Sequence, residues 1–289
     1  MPEVTVAATQ MGCTKDCDQN ISNAEKLVVN AADQGAQIVL LQELFETLYF
    51  CQKEKDEYFN LATTLEENKA VKHFCAIAKK LKIVIPISFF EKKNTAHYNT
   101  VAVIDADGSI LGIYRKCHIP DGPGYEEKFY FNPGDTGFKV WQTKYARIGI
   151  GICWDQWFPE AARIMALKGA QILFYPTAIG SEPANDTLDS KDHWQTCMQG
   201  HSACNMIPII ASNRIGTESF DTSGITFYGS SFITDNKGGI LTQANRTDES
   251  VILSTLDLEQ FQIQRASWGL FRDRRPSQYK ALLTNSGER

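Results

Sequence analysis

Short apolar runs alternate along this chain with segments of helical period, and this alternation constrains the fold more than any other feature. Residues 4–10 and 36–41 predict strands, and residues 19–34 between them place their apolar side chains on one helical face. The same succession recurs later, where strands predicted at 147–153 and 171–176 flank a helix. The pattern is typical of β-α-β units, in which helices cover a sheet.

Two predicted hairpins interrupt that alternation. Asp105–Gly108 and Asn236–Gly239 each lie between strand-like runs, and Asp-Gly and Gly-Gly pairs are strong turn signals. Antiparallel hairpins do not fit a purely parallel sheet, so we predict a mixed sheet, or two sheets, with helices outside. The other predicted elements are helices at about 66–81, 159–168 and 189–205, and strands at 83–90, 207–212, 226–234 and 250–256.

The 289 residues show no repeat and no Pro/Ser-rich linker, so we predict a single domain over residues 1–289. Residues from about 258 to 289 are interpreted as a C-terminal tail that mixes aromatic residues with arginines. Trp and Arg are enriched at subunit interfaces. We therefore expect a homo-oligomer, a dimer or larger, to which the tail contributes contacts.

Charge and apolar content argue against several other classes. A net charge of −5 gives no footprint for nucleic acid or an anionic membrane. No apolar run approaches the ~20 residues of a membrane span, and the first residues lack the features of a signal peptide. Eight dispersed cysteines without a C-x-x-C pair predict reduced thiols rather than disulfides or a zinc site. We expect a cytoplasmic protein with no nucleic-acid or membrane partner.

Three chemically reactive side chains lie at predicted strand ends. Glu43 follows the strand at 36–41, Lys116 follows a strand that ends at Arg115, and Cys153 ends the strand at 147–153. Taken singly, these residues are more often a solvated glutamate, a surface lysine and a core cysteine. Loops at strand ends are, however, where sheets of this kind place their chemistry.

The three side chains complement one another in acyl-transfer chemistry. Cys153, held as a thiolate by nearby cations, can attack an acyl or carbamoyl carbon, and Glu43 can take the thiol proton. Lys116 and the backbone N–H of Trp154 can stabilise the oxyanion. A cysteine–histidine arrangement is less attractive, because neither His97 nor His118 has an obvious orienting partner. The combination predicts a thiol hydrolase.

The segments Leu40–Glu43, Tyr114–Lys116 and Gly151–Asp155 resemble the three signatures of the nitrilase superfamily of carbon–nitrogen hydrolases, in the same order and at similar spacing. The resemblance covers nearly the whole chain. It implies a four-layer α-β-β-α sandwich with mixed sheets and a catalytic triad of Glu43, Lys116 and Cys153. It implies no metal and no organic cofactor, since all the reacting groups are side chains.

Two further segments, 118–135 and 174–183, closely resemble the N-carbamoylputrescine amidases within that superfamily. Those enzymes release putrescine, carbon dioxide and ammonia in polyamine biosynthesis. Many members of the superfamily also carry a second glutamate at the site, after the lysine. The resemblance favours Glu127 for this position, with Glu126 as the alternative.

The charge of the pocket segments favours a small cationic ureido substrate. Asp121, Tyr125 and Glu182 lie in these segments, and no arginine occurs between residues 116 and 146 or between 164 and 213. A carboxylate-bearing substrate calls for arginine, whereas an ammonium calls for acceptors or an aromatic face. The alternative is that Asp121 and Glu182 are exposed turn residues.

Other activities stay open. An ω-amidase or a β-ureidopropionase would keep the triad and change the pocket for the substrate tail. A non-catalytic scaffold would use only the assembly surface, but the complete triad argues against it. Turnover of N-carbamoylputrescine beside N-carbamoyl-β-alanine and an ω-amide would separate these functions.

Overall fold

The computed structural model describes residues 3–220 and 223–288. The helices are α1 (Cys17–Asp33), α2 (Lys69–Leu81), α3 (Glu127–Tyr130), α4 (Pro159–Leu167), α5 (Lys191–Asn205) and α6 (Leu258–Trp268). The strands are β1 (Val4–Gln10), β2 (Ile38–Leu40), β3 (Ile85–Lys93), β4 (Ala96–Ile104), β5 (Ile110–Arg115), β6 (Val140–Gln142), β7 (Arg147–Ile150), β8 (Ile172–Pro176), β9 (Ile209–Ser212), β10 (Ile215–Phe220), β11 (Ser223–Tyr228), β12 (Phe232–Thr234), β13 (Ile240–Gln243) and β14 (Ser250–Leu256). Short 3-10 helices lie at Phe50–Gln52, Asp56–Leu61, Cys153–Trp157, Pro276–Gln278 and Lys280–Leu283.

Most strands belong to two larger sheets. One runs β14-β1-β2 and continues, through a bridge between Ile38 and Val84, into β3-β4-β5. The other has the order β13-β12-β9-β8-β7-β6. The pairs β1–β2, β7–β8 and β8–β9 are parallel, whereas β1–β14 and β3–β4 are antiparallel. The predicted mixed sheets are confirmed.

The alternation of side chains along each strand creates three apolar layers. Val6 of β1 and Ile172 of β8 point into a core between the two sheets. Their neighbours point the other way, Ala7 toward α1 and α2, and Leu173 toward α4 and α5. Since successive strand residues face opposite sides, each sheet buries both faces. The result is the predicted α-β-β-α sandwich.

Capping residues fix the helix boundaries. The Asp16 carboxylate accepts the N–H groups of Asp18 and Gln19 at the start of α1. The Asn68 side chain accepts the N–H of Val71 at 2.8 Å, so α2 begins at Lys69 rather than at the predicted residue 66. In the described ranges, none of the helices is both long and apolar enough to cross a membrane.

The hairpins are only partly as predicted. Asp105–Gly108 joins β4 to β5, and Asn236–Gly239 lies between β12 and β13. The prediction of one strand over 226–234 is wrong, because Gly229 and Ser230 adopt positive φ angles and turn the chain. That turn leaves β11 free to pair with β10 in a hairpin that was not predicted.

The C-terminal segment has regular structure rather than the form of a loose tail. Residues Leu258–Trp268 form α6, and the Arg163 guanidinium of α4 lies over the Phe271 ring just beyond it. Several large apolar side chains nevertheless stay exposed, among them Trp268, Leu282 and Leu283, which are 70%, 64% and 73% accessible.

Candidate active site

Both sheets contribute reactive side chains to one region of the molecule. Glu43 comes shortly after β2 and Lys116 directly after β5, both in the first sheet, while Cys153 comes after β7 of the second. The backbone N–H of Glu43 donates to the carbonyl of Thr177, which follows β8 of the second sheet. The ends of strands that are far apart in sequence therefore meet here.

Lys116 lies between two carboxylates in a fully buried cluster. Its Nζ is 2.9 Å from Oε1 of Glu43 and 2.6 Å from Oε2 of Glu127. The Asn99 amide donates to Oε1 of Glu43 at 2.7 Å, and the Tyr49 hydroxyl donates to Oε1 of Glu127 at 2.7 Å. The structure thus brings three of the predicted catalytic residues into direct contact.

The electrostatics of this cluster follow from burial and pairing. Burial by itself would lower the pKa of Lys116, but the Glu127 and Glu43 carboxylates outweigh it and hold that pKa well above its ordinary value. Burial raises the pKa of Glu127 to about 7, although Lys116 acts in the opposite direction. The lysine therefore stays charged, and Glu127 changes its protonation state near neutral pH.

Cys153 begins the 3-10 turn at Cys153–Trp157 with a φ of +41°. Non-glycine residues are uncommon in this left-handed region, and such strain clusters at functional sites. Only 6% of Cys153 is exposed, and burial, followed by the charge of Glu43, raises the pKa of its thiol well above the ordinary value. The expectation of a resting thiolate is therefore wrong, because the charge of Lys116, which lowers this pKa, does not outweigh burial and the two glutamates.

The two carboxylate oxygens of Glu43 have different surroundings. Its Oε2 atom is buried and has no hydrogen-bond partner in the part of the chain that the structure describes. Its Oε1 atom is already held by Lys116 and Asn99, which fix the direction of the carboxylate. One oxygen thus orients the group while the other remains able to accept a proton.

Asp155 organises the nucleophile turn, a role that the sequence interpretation missed. Its buried Oδ2 accepts the Ile152 N–H at 2.9 Å and the Tyr114 hydroxyl at 2.7 Å. Its Oδ1 accepts the backbone N–H of His118 at 3.0 Å and lies 2.7 Å from His118 Nδ1. The expectation that His118 has no orienting partner is therefore wrong, because Asp155 contacts both its backbone and its ring. The sequence signal that could have indicated this role is the acidic residue two positions after Cys153.

A cavity of about 340 Å³ opens onto Cys153 and Glu127. The three predicted tail-binding residues, Asp121, Tyr125 and Glu182, also line it. Trp154 does so as well and is 39% exposed. No arginine or lysine of the described chain is among its lining residues. The carboxylates of Asp121 and Glu182 and the imidazole of His193 thus line the same cavity as Cys153.

Tyr125 contributes its ring rather than a free hydroxyl to this cavity. The hydroxyl donates to the Ser181 carbonyl at 3.1 Å and accepts the Gly180 N–H at 3.1 Å. Both contacts hold the segment that carries Glu182, so Tyr125 shapes the cavity wall. Burial raises the pKa of Glu182.

The two adjacent glutamates have different surroundings. Glu127 lies at the start of α3 in the buried cluster, whereas Glu126 faces a separate polar depression with Glu54 and Pro183. Partial burial and the charges of Glu54 and Asp121 raise the pKa of Glu126. The geometry places Glu127 beside Lys116 and leaves Glu126 outside the cavity. Over the described residues, the structure holds no group of three or more His, Cys, Asp or Glu side chains suited to a metal ion.

Comparison with known proteins gives a consistent result. A family model for carbon–nitrogen hydrolases matches residues 5–266. An N-carbamoylputrescine amidase of Solanum tuberosum is 58% identical over 288 residues, 98% of this chain and 96% of that protein. A citrullinase of Francisella tularensis is 54% identical over 283 residues, 98% of this chain and 99% of that protein. A crystal structure of a carbon–nitrogen hydrolase from Helicobacter pylori G27, 40% identical, aligns with a TM-score of 0.93 over 98% of this chain and 99% of its own. The likeness confirms the predicted fold.

Proposed function

The chain belongs to the carbon–nitrogen hydrolase family, and from that premise we propose that it hydrolyses N-carbamoylputrescine to putrescine, carbon dioxide and ammonia. The observation that carries this proposal is the cavity beside Cys153, which Asp121 and Glu182 also line and which has no lysine or arginine among its described lining residues. A substrate with a ureido group at one end and an ammonium at the other suits a cavity that holds both a thiol and these carboxylates.

In this mechanism the neutral Cys153 thiol attacks the ureido carbon while Glu43 accepts its proton. Lys116 and the Trp154 N–H stabilise the oxyanion of the tetrahedral intermediate. The C–N bond to putrescine then breaks, and Glu43 returns the proton to the leaving amine. Water hydrolyses the carbamoyl-cysteine with Glu43 as base, and the carbamic acid released decomposes to carbon dioxide and ammonia.

Glu127 has a supporting part in this scheme. Its carboxylate accepts hydrogen bonds from Lys116 and Tyr49, and it also lines the cavity. It can therefore hold the lysine against the oxyanion or orient the ureido group. Because the acids, the lysine and the thiol interact, their titrations belong to the cluster rather than to one residue.

Citrulline is the natural competing substrate, because a relative at 54% identity is named citrullinase. Citrulline carries a ureido group, but its other end bears both an ammonium and a carboxylate. A buried carboxylate needs a cationic partner, and arginine is best suited to provide it. The cavity instead places Asp121 and Glu182 at its walls, which favours the substrate without a carboxylate.

Neutralising the acidic wall should weaken binding of the substrate tail. Asp121→Asn or Glu182→Gln should raise KM more than it lowers kcat, because the ammonium contact is made in both ground and transition states. A hydrogen bond to a charged group is worth about 1.5–3 kcal/mol, so kcat/KM should fall roughly ten- to hundredfold. Steady-state assays of ammonia release measure both constants.

N-pentylurea is the matched control, because a methyl group replaces the ammonium. The loss in either variant should largely disappear with this substrate. Equal losses for both substrates would mean that the carboxylates only shape the cavity. Preferred turnover of citrulline, N-carbamoyl-β-alanine or an ω-amide by the wild type would contradict the substrate assignment and leave the thiol chemistry standing.

The two adjacent glutamates provide a separate test of the site. Glu127→Gln should lower kcat at least tenfold because the ionic contact with Lys116 is lost, whereas Glu126→Gln should have little effect. Since the pKa of Glu127 lies at about 7, kcat/KM of the wild type should rise as the pH increases through that value. This rise on the acidic side of the pH profile, the acidic limb, should be absent in Glu127→Gln. A larger loss in Glu126→Gln would reverse the assignment.

We also propose that the chain forms a homo-oligomer through its C-terminal segment. The C-terminal segment carries the exposed side chains of Trp268, Leu282 and Leu283, and contact with a second copy of the chain would remove this apolar surface from water. Truncation before Trp268 should reduce the number of subunits per particle, which light scattering gives as the molar mass in solution divided by the mass of one chain. Leu61→Ser, which changes an exposed leucine elsewhere, should leave the mass unchanged. An unaltered assembly after truncation would rule out this role for the segment.

A further inference from the structure

We propose that Arg214 and Glu218 are positioning residues, which set the directions of the two carboxylates around Lys116 without touching the substrate. The inference rests on the roles proposed above for Glu43 and Glu127. Arg214 directly precedes β10 and Glu218 lies within it, and neither residue lines that cavity. Both side chains are almost completely buried.

The Arg214 guanidinium holds the backbone of the turn that carries Glu43. Nε and one terminal nitrogen donate to the Glu43 carbonyl at 3.4 and 3.0 Å. Further bonds reach the carbonyls of Leu44 at 2.5 Å and Thr47 at 3.0 Å. Leu44 has a φ of +48°, a conformation that a non-glycine residue keeps only when its surroundings impose it. The rigid fork of donors provides that constraint.

Glu218 extends the same support to Glu127. Its Oε1 lies 2.8 Å from the Arg214 guanidinium, and its Oε2 accepts the backbone N–H of Tyr49 at 2.5 Å. The Tyr49 hydroxyl in turn donates to Glu127 at 2.7 Å. A shift of the Tyr49 backbone would therefore move the hydrogen bond that Glu127 receives.

These contacts close a ring around the site. From Arg214 it runs through the Glu43 backbone to the Glu43 carboxylate, Lys116, Glu127 and Tyr49, and it returns through Glu218. A buried charge without a partner is costly, whereas every N–H of the guanidinium has an acceptor here. Burial by itself would lower the pKa of Arg214, but the charges of Cys13 and Glu218, and to a smaller extent Glu43, hold it above its ordinary value.

Glu218→Gln tests the proposal, because the amide keeps the shape but presents a donor where Tyr49 N–H or Arg214 needs an acceptor. We expect kcat for N-carbamoylputrescine to fall by roughly ten- to a hundredfold, with a smaller change in KM, as small misplacements of reacting groups produce. The acidic limb of kcat/KM should move to higher pH, because the Tyr49 hydrogen bond that lowers the pKa of Glu127 is weakened.

Tyr49→Phe isolates the branch to Glu127. It should move the acidic limb in the same direction, and the double variant should show little further displacement beyond Tyr49→Phe alone, because the shorter route from Glu218 to Glu127 passes through Tyr49. If Glu218→Gln does not fold, Glu218→Asp keeps the charge but withdraws the carboxylate, and the same results are expected of it. Wild-type kcat and an unmoved limb in the folded variant would overturn the proposal.

Glu91→Gln is the matched control for a purely structural loss. Glu91 forms a largely buried ion pair with Arg115, and the substitution breaks it. Arg115 directly precedes Lys116, so in an extended chain the two side chains point to opposite faces. Its Tm should fall while kcat and the pH limb stay unchanged. Cys153→Ala distinguishes failure of the positioning role from failure of the proposed function. If that variant is inactive and Glu218→Gln is normal, only the positioning role fails, whereas an active Cys153→Ala enzyme refutes the proposed function itself.

Discussion

Replacement of Cys153 by alanine is expected to abolish hydrolysis of N-carbamoylputrescine while leaving the fold intact. The mutation removes the sulfur that forms the covalent intermediate in the proposed mechanism, and losing the nucleophile of a hydrolase that forms an acyl-enzyme typically costs on the order of 10⁶-fold in kcat. Alanine and cysteine differ by one atom, and the Cys153 sulfur makes only a weak contact, 3.9 Å from the Ala178 carbonyl. Thermal unfolding should therefore change little.

Mass spectrometry provides an independent readout of the same step. Wild-type protein quenched during turnover should carry a carbamoyl group on Cys153, and the alanine variant should carry none. Cys51→Ala is the matched control, since Cys51 is also buried beside the cluster but does not line the cavity. An adduct on Cys51, or undiminished turnover in Cys153→Ala, would contradict the mechanism.

Local pattern was sufficient to predict most elements of the fold. The apolar faces of α1 and α2 and the continuous strands β2 and β8 are encoded in short windows, and the structure has them close to the expected positions. Strand partners are encoded less directly. The strand at Ser250–Leu256 was predicted, but its pairing with β1 joins residues about 250 apart in the chain. The split at Gly229 and Ser230 depends on backbone conformation that apolar periodicity does not report.

The residues of the site likewise differ in whether local sequence or contacts between distant parts of the chain identify them. Glu43, Lys116 and Cys153 could be predicted because each ends a strand within a recognisable segment. The contacts of Tyr49 and Arg214 could not be predicted. Tyr49 contacts Glu127, which is 78 positions away, and Arg214 contacts Glu43, which is 171 positions away. The protonation state of Cys153 also required the structure, because burial rather than the nearby lysine determines it.

Removal of Lys116 is expected to damage both stability and catalysis. Lys116→Met leaves the carboxylates of Glu43 and Glu127 buried without their cation, and breaking a buried ion pair in this way typically costs about 3–5 kcal/mol of unfolding free energy. Loss of one oxyanion donor should also lower kcat about 10²–10³-fold. Denaturant unfolding and steady-state kinetics at a temperature well below Tm separate the two effects.

The pH dependence identifies the cause of the stability loss. The folded-state pKa of Glu127 is already raised above its unfolded value, and without Lys116, which lowers it, that pKa should rise further. A raised carboxyl pKa means that stability present at low pH is lost as the pH rises through the folded value. The stability deficit of Lys116→Met should therefore be largest at a pH above this further raised pKa and should shrink as the pH falls toward 7, because protonation of Glu127 removes the uncompensated charge. Adding Glu127→Gln to Lys116→Met should restore part of the stability at alkaline pH, where Glu127 would be ionised, without restoring turnover. A deficit independent of pH, or one not reduced in the double variant, would mean that Lys116 stabilises the fold by packing rather than by its charge.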